Sequence, residues 1–495
     1  MTLDAPMKPA HVAGLLGGVA ALILFMATPP PAPINALGMA RLGLLTFGVI
    51  WWLATPLPLA MTTLAMLGIG VSTGALTIAG AFSHSGSWVL WFVIGTFGLA
   101  AALETTGVNR RMALAFLDVP WARGKSRRFL VMFLLSATVM SAFMANTVVA
   151  LIWLSLATKI YRLLNVPTED PLVEANTLGI AWAANIGGVA TPIGNGTNVV
   201  GLGMIATATG VTVSFLQWTV MGTVLAILFI ASALAVFWFG ASRRSNVLDR
   251  PDMVSFITTE RAALGPMSVV EKWAVGWFAF AVFLWFLPDL STLVAPAWIS
   301  TLLQKSLHMS VPAILVPIAM CLVPIPGAPG QRTLHWKNWM DGTDWALLLF
   351  VGGVMGIGNA VGEDVTGIPA YVRVAIEPFL SGLSEYQFVL VMAVGVIAVT
   401  NVISNMVTMA IFLPLGLTVA KALGVADPVA LGVVLVVGPS LAYALPSGTT
   451  TNAIVAGSGY LRVSTMLRNG IPLCIIHALL LTYVGYPLAK FVMGR

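Results

Sequence analysis

The chain has 495 residues, of which 58% are hydrophobic and 8% charged, with a formal net charge of +6. A soluble domain carries about 25% charged residues, so no water-soluble class can cover its surface with this composition. Two cysteines, Cys321 and Cys474, both lie in apolar stretches, which leaves neither a disulfide framework nor a metal-ligand spacing.

The apolar residues fall in runs near the ~20 residues that cross a hydrocarbon core. The first, 12–28, follows Lys8 and lacks a small-x-small cleavage site, so it reads as a retained span within an amino-terminal unit, 1–40, and not as a signal peptide. A first repeat, 41–241, then carries spans at 42–56, 58–76, 88–104 and 215–241, with a polar-interrupted segment at 129–157 and a broken span at 178–207. The most polar stretch, 242–271, reads as a cytoplasmic linker. A second repeat, 272–495, carries spans at 272–288, 308–325, 345–362 and 471–491, an interrupted segment at 387–420 and a broken span at 428–458. The two interrupted segments read as re-entrant hairpins that enter and leave on one side. The expected fold is an all-α polytopic membrane protein of about eleven transmembrane helices plus two re-entrant hairpins.

With the amino terminus in the cytoplasm, eighteen Lys and Arg residues fall on inner segments and six on outer ones. The positive-inside rule therefore favours a cytoplasmic amino terminus and an extracytoplasmic carboxyl terminus in the cell's inner (plasma) membrane. Topology accounts for the positive charge without nucleic acid. Tryptophans near span ends, including Trp51, Trp52, Trp88, Trp91, Trp336, Trp339 and Trp345, read as an interfacial belt.

The halves echo each other in order. Trp88, Gly95 and Thr106-Gly107 return as Trp345, Gly352 and Thr366-Gly367. The hairpin tips Ala145-Asn146-Thr147 and Ser404-Asn405-Met406 follow 39 and 38 residues after those second glycines, counted to the Asn. Gly194-Asn195-Gly196-Thr197-Asn198 is then matched by Gly448-Thr449-Thr450-Thr451-Asn452. By the topology above, the first hairpin opens inward and the second outward, so the repeats are inverted, a transporter signature with its site near the midplane.

Ionisable residues are almost absent at mid-depth, and Glu104, Glu363 and Asp364 fall at span ends. An anion would then be held by neutral donors such as Asn146, Thr147, Ser404, Asn405 and Thr449, by backbone amides and by co-bound cations. Ser141, Asn146, Thr400 and Asn405, with carbonyls near Gly194 and Gly448, offer the oxygen ligands a hard monovalent cation prefers, which describes sodium better than a proton relay. The competing reading of Asn, Ser and Thr is helix-to-helix hydrogen bonding. In the same way, the glycines of Asn185-Ile186-Gly187-Gly188 serve either close packing or the site. His84, in Phe82-Ser83-His84-Ser85-Gly86, reads as a loop histidine. No nucleophile–base pair, metal cluster or phosphate loop points to an enzyme.

Over nearly its whole length the sequence resembles the divalent anion/sodium symporter family, which includes di- and tricarboxylate carriers and sulfate carriers. The marks are the paired tips and the segment from Leu445 to Gly459, LPSGTTTNAIVAGSG. The resemblance implies a homodimer whose scaffold holds a mobile transport domain moving as an elevator. It implies one sodium site near Ser141, Asn146 and Gly194, and another near Thr400, Asn405 and Gly448, with no other cofactor. The substrate would lie between the tips, among Asn146, Thr147, Asn195, Ser404, Asn405, Met406, Thr449 and Thr450. Against the family pattern, Ala145 replaces a Ser, Met406 replaces a Thr, and both Thr-Pro-Pro-Asn turns have lost their prolines. The expected function is sodium-coupled uptake of a small anion, with a C4-dicarboxylate such as succinate, malate or fumarate first. The alternatives are an anion exchanger or a carrier of sulfate or another small anion on the same fold.

Overall fold

The structure is a computed structural model that describes residues 9–54, 57–122, 125–239, 245–247, 249, 251–361, 363–380, 382–424 and 426–494. Lys8, Arg123, Arg243, Arg244, Arg250 and Arg495 of the charge tally lie outside the described residues, as do residues 1–8 of the amino-terminal unit and part of the linker.

Among the described residues the regular elements are helices. Five open the chain: α1 (Pro9–Ala27), α2 (Ala36–Ala54), α3 (Leu59–Ser72), the short α4 (Ile78–Phe82) and α5 (Trp88–Thr105). The amphipathic α6 (Val108–Leu117) leads to α7 (Ser126–Ser141), α8 (Asn146–Leu163), α9 (Pro171–Gly187), α10 (Gly196–Thr209) and α11 (Phe215–Phe239). After α12 (Pro251–Ala263) come α13 (Val269–Val294), α14 (Ala297–Ser306), α15 (Ser310–Leu322) and α16 (Trp336–Gly342). The order of the first half then returns: α17 (Trp345–Val361), α18 (Ile368–Leu380), α19 (Glu385–Thr400), α20 (Asn405–Leu423), α21 (Pro428–Val437), α22 (Thr450–Ala456), α23 (Val463–Leu480) and α24 (Tyr486–Val492).

By length and composition, seven helices among the described residues could cross a membrane, or nine if two bent pairs each count as one span. The bent pairs are α14 with α15, at 71°, and α16 with α17, at 58°. One of the seven is α20, an arm of the expected hairpin at 387–420, so eight of the nine match expected crossings; the other three expected crossings are the shorter α3 and the interrupted pairs α9–α10 and α21–α22, whose polar middles no single helix bridges. Hydropathy alone did not reveal α6, α14, α16 and α18, which flank the spans, nor α12, which fills the middle of the expected linker.

Several starts follow from local chemistry. Asp170 caps α9 by accepting from Leu172 N and Val173 N ahead of Pro171, and Asp427 caps α21 by accepting from Ala430 N ahead of Pro428. A carboxylate satisfies the free amides there, and proline has none to lose. The paired Thr-Gly turns also recur, with left-handed Gly107 (φ 80°) and Gly367 (φ 70°) where a side chain would be strained.

α1 lies along α2, α3 packs on α17, and α5 packs on α15 and α16. α9 and α10 meet α21 and α22 in the other major contact region, with α8 and α20 alongside. Arg41, one of the six cations assigned to outer segments, is buried on α2, where Nε donates to Ala75 O at 3.0 Å and Nη1 pairs with Glu363 at 2.7 Å, joining the two halves. Trp336, Trp345 and Trp91 are exposed as a belt requires, but Trp51, Trp52 and Trp339 are buried, and Trp339 donates to the Ile94 carbonyl at 2.8 Å.

Candidate functional site

The tips are formed where a helix stops and another starts within four residues. α7 ends at Ser141 and α8 begins at Asn146; α19 ends at Thr400 and α20 begins at Asn405. Gly187 lets α9 approach the first hairpin, since a Cβ there would lie 2.1 Å from Thr138 O. Gly188 abuts the site itself, because a Cβ would meet the Asn146 side-chain oxygen at 2.4 Å. The two readings of this glycine pair therefore divide between its members.

Behind the first tip lies a cup of oxygens. Ser141 Oγ is 2.7 Å from Ala184 O and 2.8 Å from Asn146 Oδ1. In one orientation of the Asn146 amide its nitrogen donates to Gly194 O at 3.0 Å, Ala184 O at 3.2 Å and Ser141 Oγ at 2.8 Å. In the other, its oxygen joins those three. The second tip repeats the plan: Thr400 Oγ1 is 2.8 Å from Pro439 O and 2.9 Å from Asn405 Oδ1, and a Cβ on Gly448 would meet Thr400 O at 2.9 Å. Ser141 and Thr400 are fully buried. Each hydroxyl has one proton and two acceptors in reach, so each cup holds more oxygen lone pairs than hydrogens when the amide oxygen faces in. That donor set suits a hard cation.

The loops that close the cups are fastened identically. Asn198 Nδ2 donates to Gly188 O and Thr191 O, at 2.7 and 2.8 Å; Asn452 Nδ2 donates to Ala442 O and Leu445 O, at 3.1 and 2.9 Å. Thr191 donates to Ala142 O, and Ser447 donates to Asn401 O at 3.3 Å, each tying a loop to its tip. The hairpin residue Asn401 also accepts from Tyr443 N and Ala444 N, at 3.0 and 2.7 Å. Sequence reasoning singled out neither Asn401 and Thr191 nor the side-chain roles of Asn185 and Ser440. The one available signal was a polar residue near a break in an apolar run.

A cavity of about 430 Å³ lies between the tips, and Asn146, Thr147, Gly194, Asn195, Ser404, Asn405, Met406, Gly448, Thr449 and Thr450 all line it. Ser141 and Thr400 sit behind the wall and do not line it. The opposite wall is largely apolar, with Leu59, Val93, Phe97, Phe278 and Leu347 beside Thr96 and Asp344. Asp344 Oδ1 accepts from Leu347 N at 2.9 Å. Among the described residues no Lys, Arg or His lines the cavity. His84 is outside it, half-buried and bonded to Ser83 Oγ at 2.8 Å. The two ends differ: Met406 occupies the place that Thr147 has in the first repeat, and its Cε lies 3.6 Å from where a Gly196 Cβ would be.

A family profile described as "Sodium:sulfate symporter transmembrane region" matches residues 10–493. The chain belongs to that family. Within it, the chain is 24% identical over 495 residues to the "Sodium-dependent dicarboxylate transporter SdcS" of Staphylococcus saprophyticus, covering 98% of this chain and 92% of the relative. It is 25% identical to the transporter of the same name from Staphylococcus aureus USA300, covering 98% and 93%. An uncharacterized transporter of Haemophilus influenzae is also 25% identical, with 94% and 95% covered. The YdaH transporter of Alcanivorax borkumensis shares the fold, with a TM-score of 0.56 at 13% identity over 98% of this chain and 96% of that one. The family and the apolar helices make this symporter relative an integral membrane transporter.

Proposed function

We infer that the protein is a sodium-coupled carrier that takes up a small organic anion, with C4-dicarboxylates such as succinate, malate and fumarate as first candidates. The observation that carries this reading is the pair of oxygen-lined cups flanking one cavity that, among the described residues, no Lys, Arg or His lines. In such a site the coupling ions supply the positive charge that arginine would otherwise bring. Asn146, Thr147, Asn405 and Thr449 hold the anion, with Asn195, Ser404 and Thr450 at its edge. One sodium lies with Ser141, Asn146 and Gly194, and a second with Thr400, Asn405 and Gly448. Relatives named sodium-dependent dicarboxylate transporters support both the ion and the substrate class.

The helices that carry cups and cavity, α7–α11 and α19–α24, travel as one body against a scaffold built from α1–α6 and α13–α18. They do so in a homodimer whose repeats are inverted, with the amino terminus cytoplasmic and the carboxyl terminus outside. A second reading, a carrier of an anion with a single charge, is favoured by one observation: Met406 puts a thioether where the first repeat has the Thr147 hydroxyl.

Uptake into proteoliposomes tests the function. Succinate entry should require sodium and fall at least about tenfold in Asn146→Ala and in Asn405→Ala, the loss of one contact to a charged group. Equal entry in choline buffer would remove the coupling.

A further inference from the structure

The geometry points to Asn185 and Ser440 as a reciprocal brace through which a cation in either cup raises the affinity of the other. The inference rests on the sodium-coupled reading above. Each cup is built on a carbonyl at the end of a helix, Ala184 in the first and Pro439 in the second. In both cases the very next side chain crosses into the opposite repeat. Asn185 Oδ1 accepts from Thr451 Oγ1 at 2.9 Å, and Asn185 Nδ2 donates to Thr449 Oγ1 at 3.4 Å. Thr449 directly follows Gly448 of the second cup. In return, Ser440 Oγ accepts from Asn195 Nδ2 at 3.1 Å, and Asn195 directly follows Gly194 of the first cup.

The crossings also control two helix starts. Thr449 Oγ1 accepts from Asn452 N as the cap of α22, and Asn195 Oδ1 accepts from Thr197 N as the cap of α10. A cation that draws Ala184 O and Gly194 O toward itself turns the peptide planes that lead into Asn185 and Asn195. Those side chains are bonded to Thr449, Thr451 and Ser440, which belong to the second repeat. A cation in the second cup acts on the first in the same way, as thermodynamic coupling requires. Asn185 and Ser440 are 1% and 0% exposed, so no solvent water replaces a broken crossing and the strain of one cup is passed on rather than dissipated.

The test reads sodium binding without a substrate. Purified full-length protein is melted across a sodium chloride titration, with choline chloride holding ionic strength constant. The wild type should be stabilised with a Hill slope of about 2, and Ser440→Ala should bring the slope to about 1 while raising the midpoint by about fivefold or more, the lower end of allosteric couplings. Ser440→Thr, which keeps the hydroxyl, should restore the slope. A purely structural serine would lower the sodium-free melting temperature and leave the slope intact. Ser440→Ala removes a single acceptor and is the deciding variant; Asn185→Ala, which also strips the two threonines of their partner, should repeat the result. A cooperative wild type whose slope survives Ser440→Ala overturns the brace alone, as does a wild-type slope of 1. A wild type indifferent to sodium overturns the sodium reading as well.

Discussion

Replacing Ser141 by alanine takes one oxygen out of the first cup and changes little else. Its hydroxyl is fully buried, 2.7 Å from Ala184 O and 2.8 Å from the Asn146 amide. The Ala184 carbonyl keeps its helical donor, Gly188 N, at 3.0 Å. The fold should therefore lose only about 1 kcal/mol, the net worth of an ordinary hydrogen bond, and the melting temperature without sodium should drop by no more than about 2–4 °C. Sodium binding should suffer more, because a contact to a charged partner is worth about 1.5–3 kcal/mol. At about 1.4 kcal/mol per decade, the half-saturating sodium concentration for uptake rises roughly 10- to 100-fold. Thr400→Val, which keeps the shape and removes the hydroxyl of the second cup, should do the same. The assay is initial succinate uptake into proteoliposomes as sodium replaces choline. If both variants remain active with half-saturation within about twofold of wild type, the cups are not where sodium binds.

Two further changes probe the same region. Gly194→Ala places a Cβ 2.7 Å from Gly188 O and 2.9 Å from Ser141 O; both are backbone atoms that cannot swing aside, so the variant should express and insert yet lose sodium-dependent uptake, and near-normal transport would show that the first cup tolerates distortion. Met406→Thr restores to the second tip the hydroxyl that Thr147 supplies to the first, and should improve succinate relative to butyrate by about tenfold in a competition assay, the worth of one hydrogen bond to a carboxylate; an unchanged ratio would detach Met406 from substrate choice.

The elements legible in the sequence were those written in residue order. Long apolar runs gave the helices their approximate places, and the polar breaks at Ala145-Asn146-Thr147 and Ser404-Asn405-Met406 marked where helices end, because unpaired backbone at membrane depth needs polar company. The surrounding helices were harder to see. α6 and α18 are amphipathic and short, so an average over a span-length window dilutes them, and the 71° bend between α14 and α15 leaves no trace in hydropathy. Trp51, Trp52 and Trp339 read as belt residues from their position along the chain, but which face of a helix meets protein instead of lipid depends on neighbours that are distant in sequence.

The candidate site divides in the same way. Which residue types could line it followed from composition: a chain almost without mid-depth charge must meet an anion with Asn, Thr and backbone groups, and the duplicated order Gly, tip Asn, loop Asn pointed to the breaks where they stand. Tertiary structure decided how they are wired. That Ser141 faces Ala184 depends on α7 and α9 packing within the first repeat, and that Asn185 reaches Thr451 while Asn195 reaches Ser440 depends on two half-chains crossing in space. Periodicity reports the surroundings of one helix, whereas a hydrogen bond across more than 200 residues exists only once both helices have been packed together.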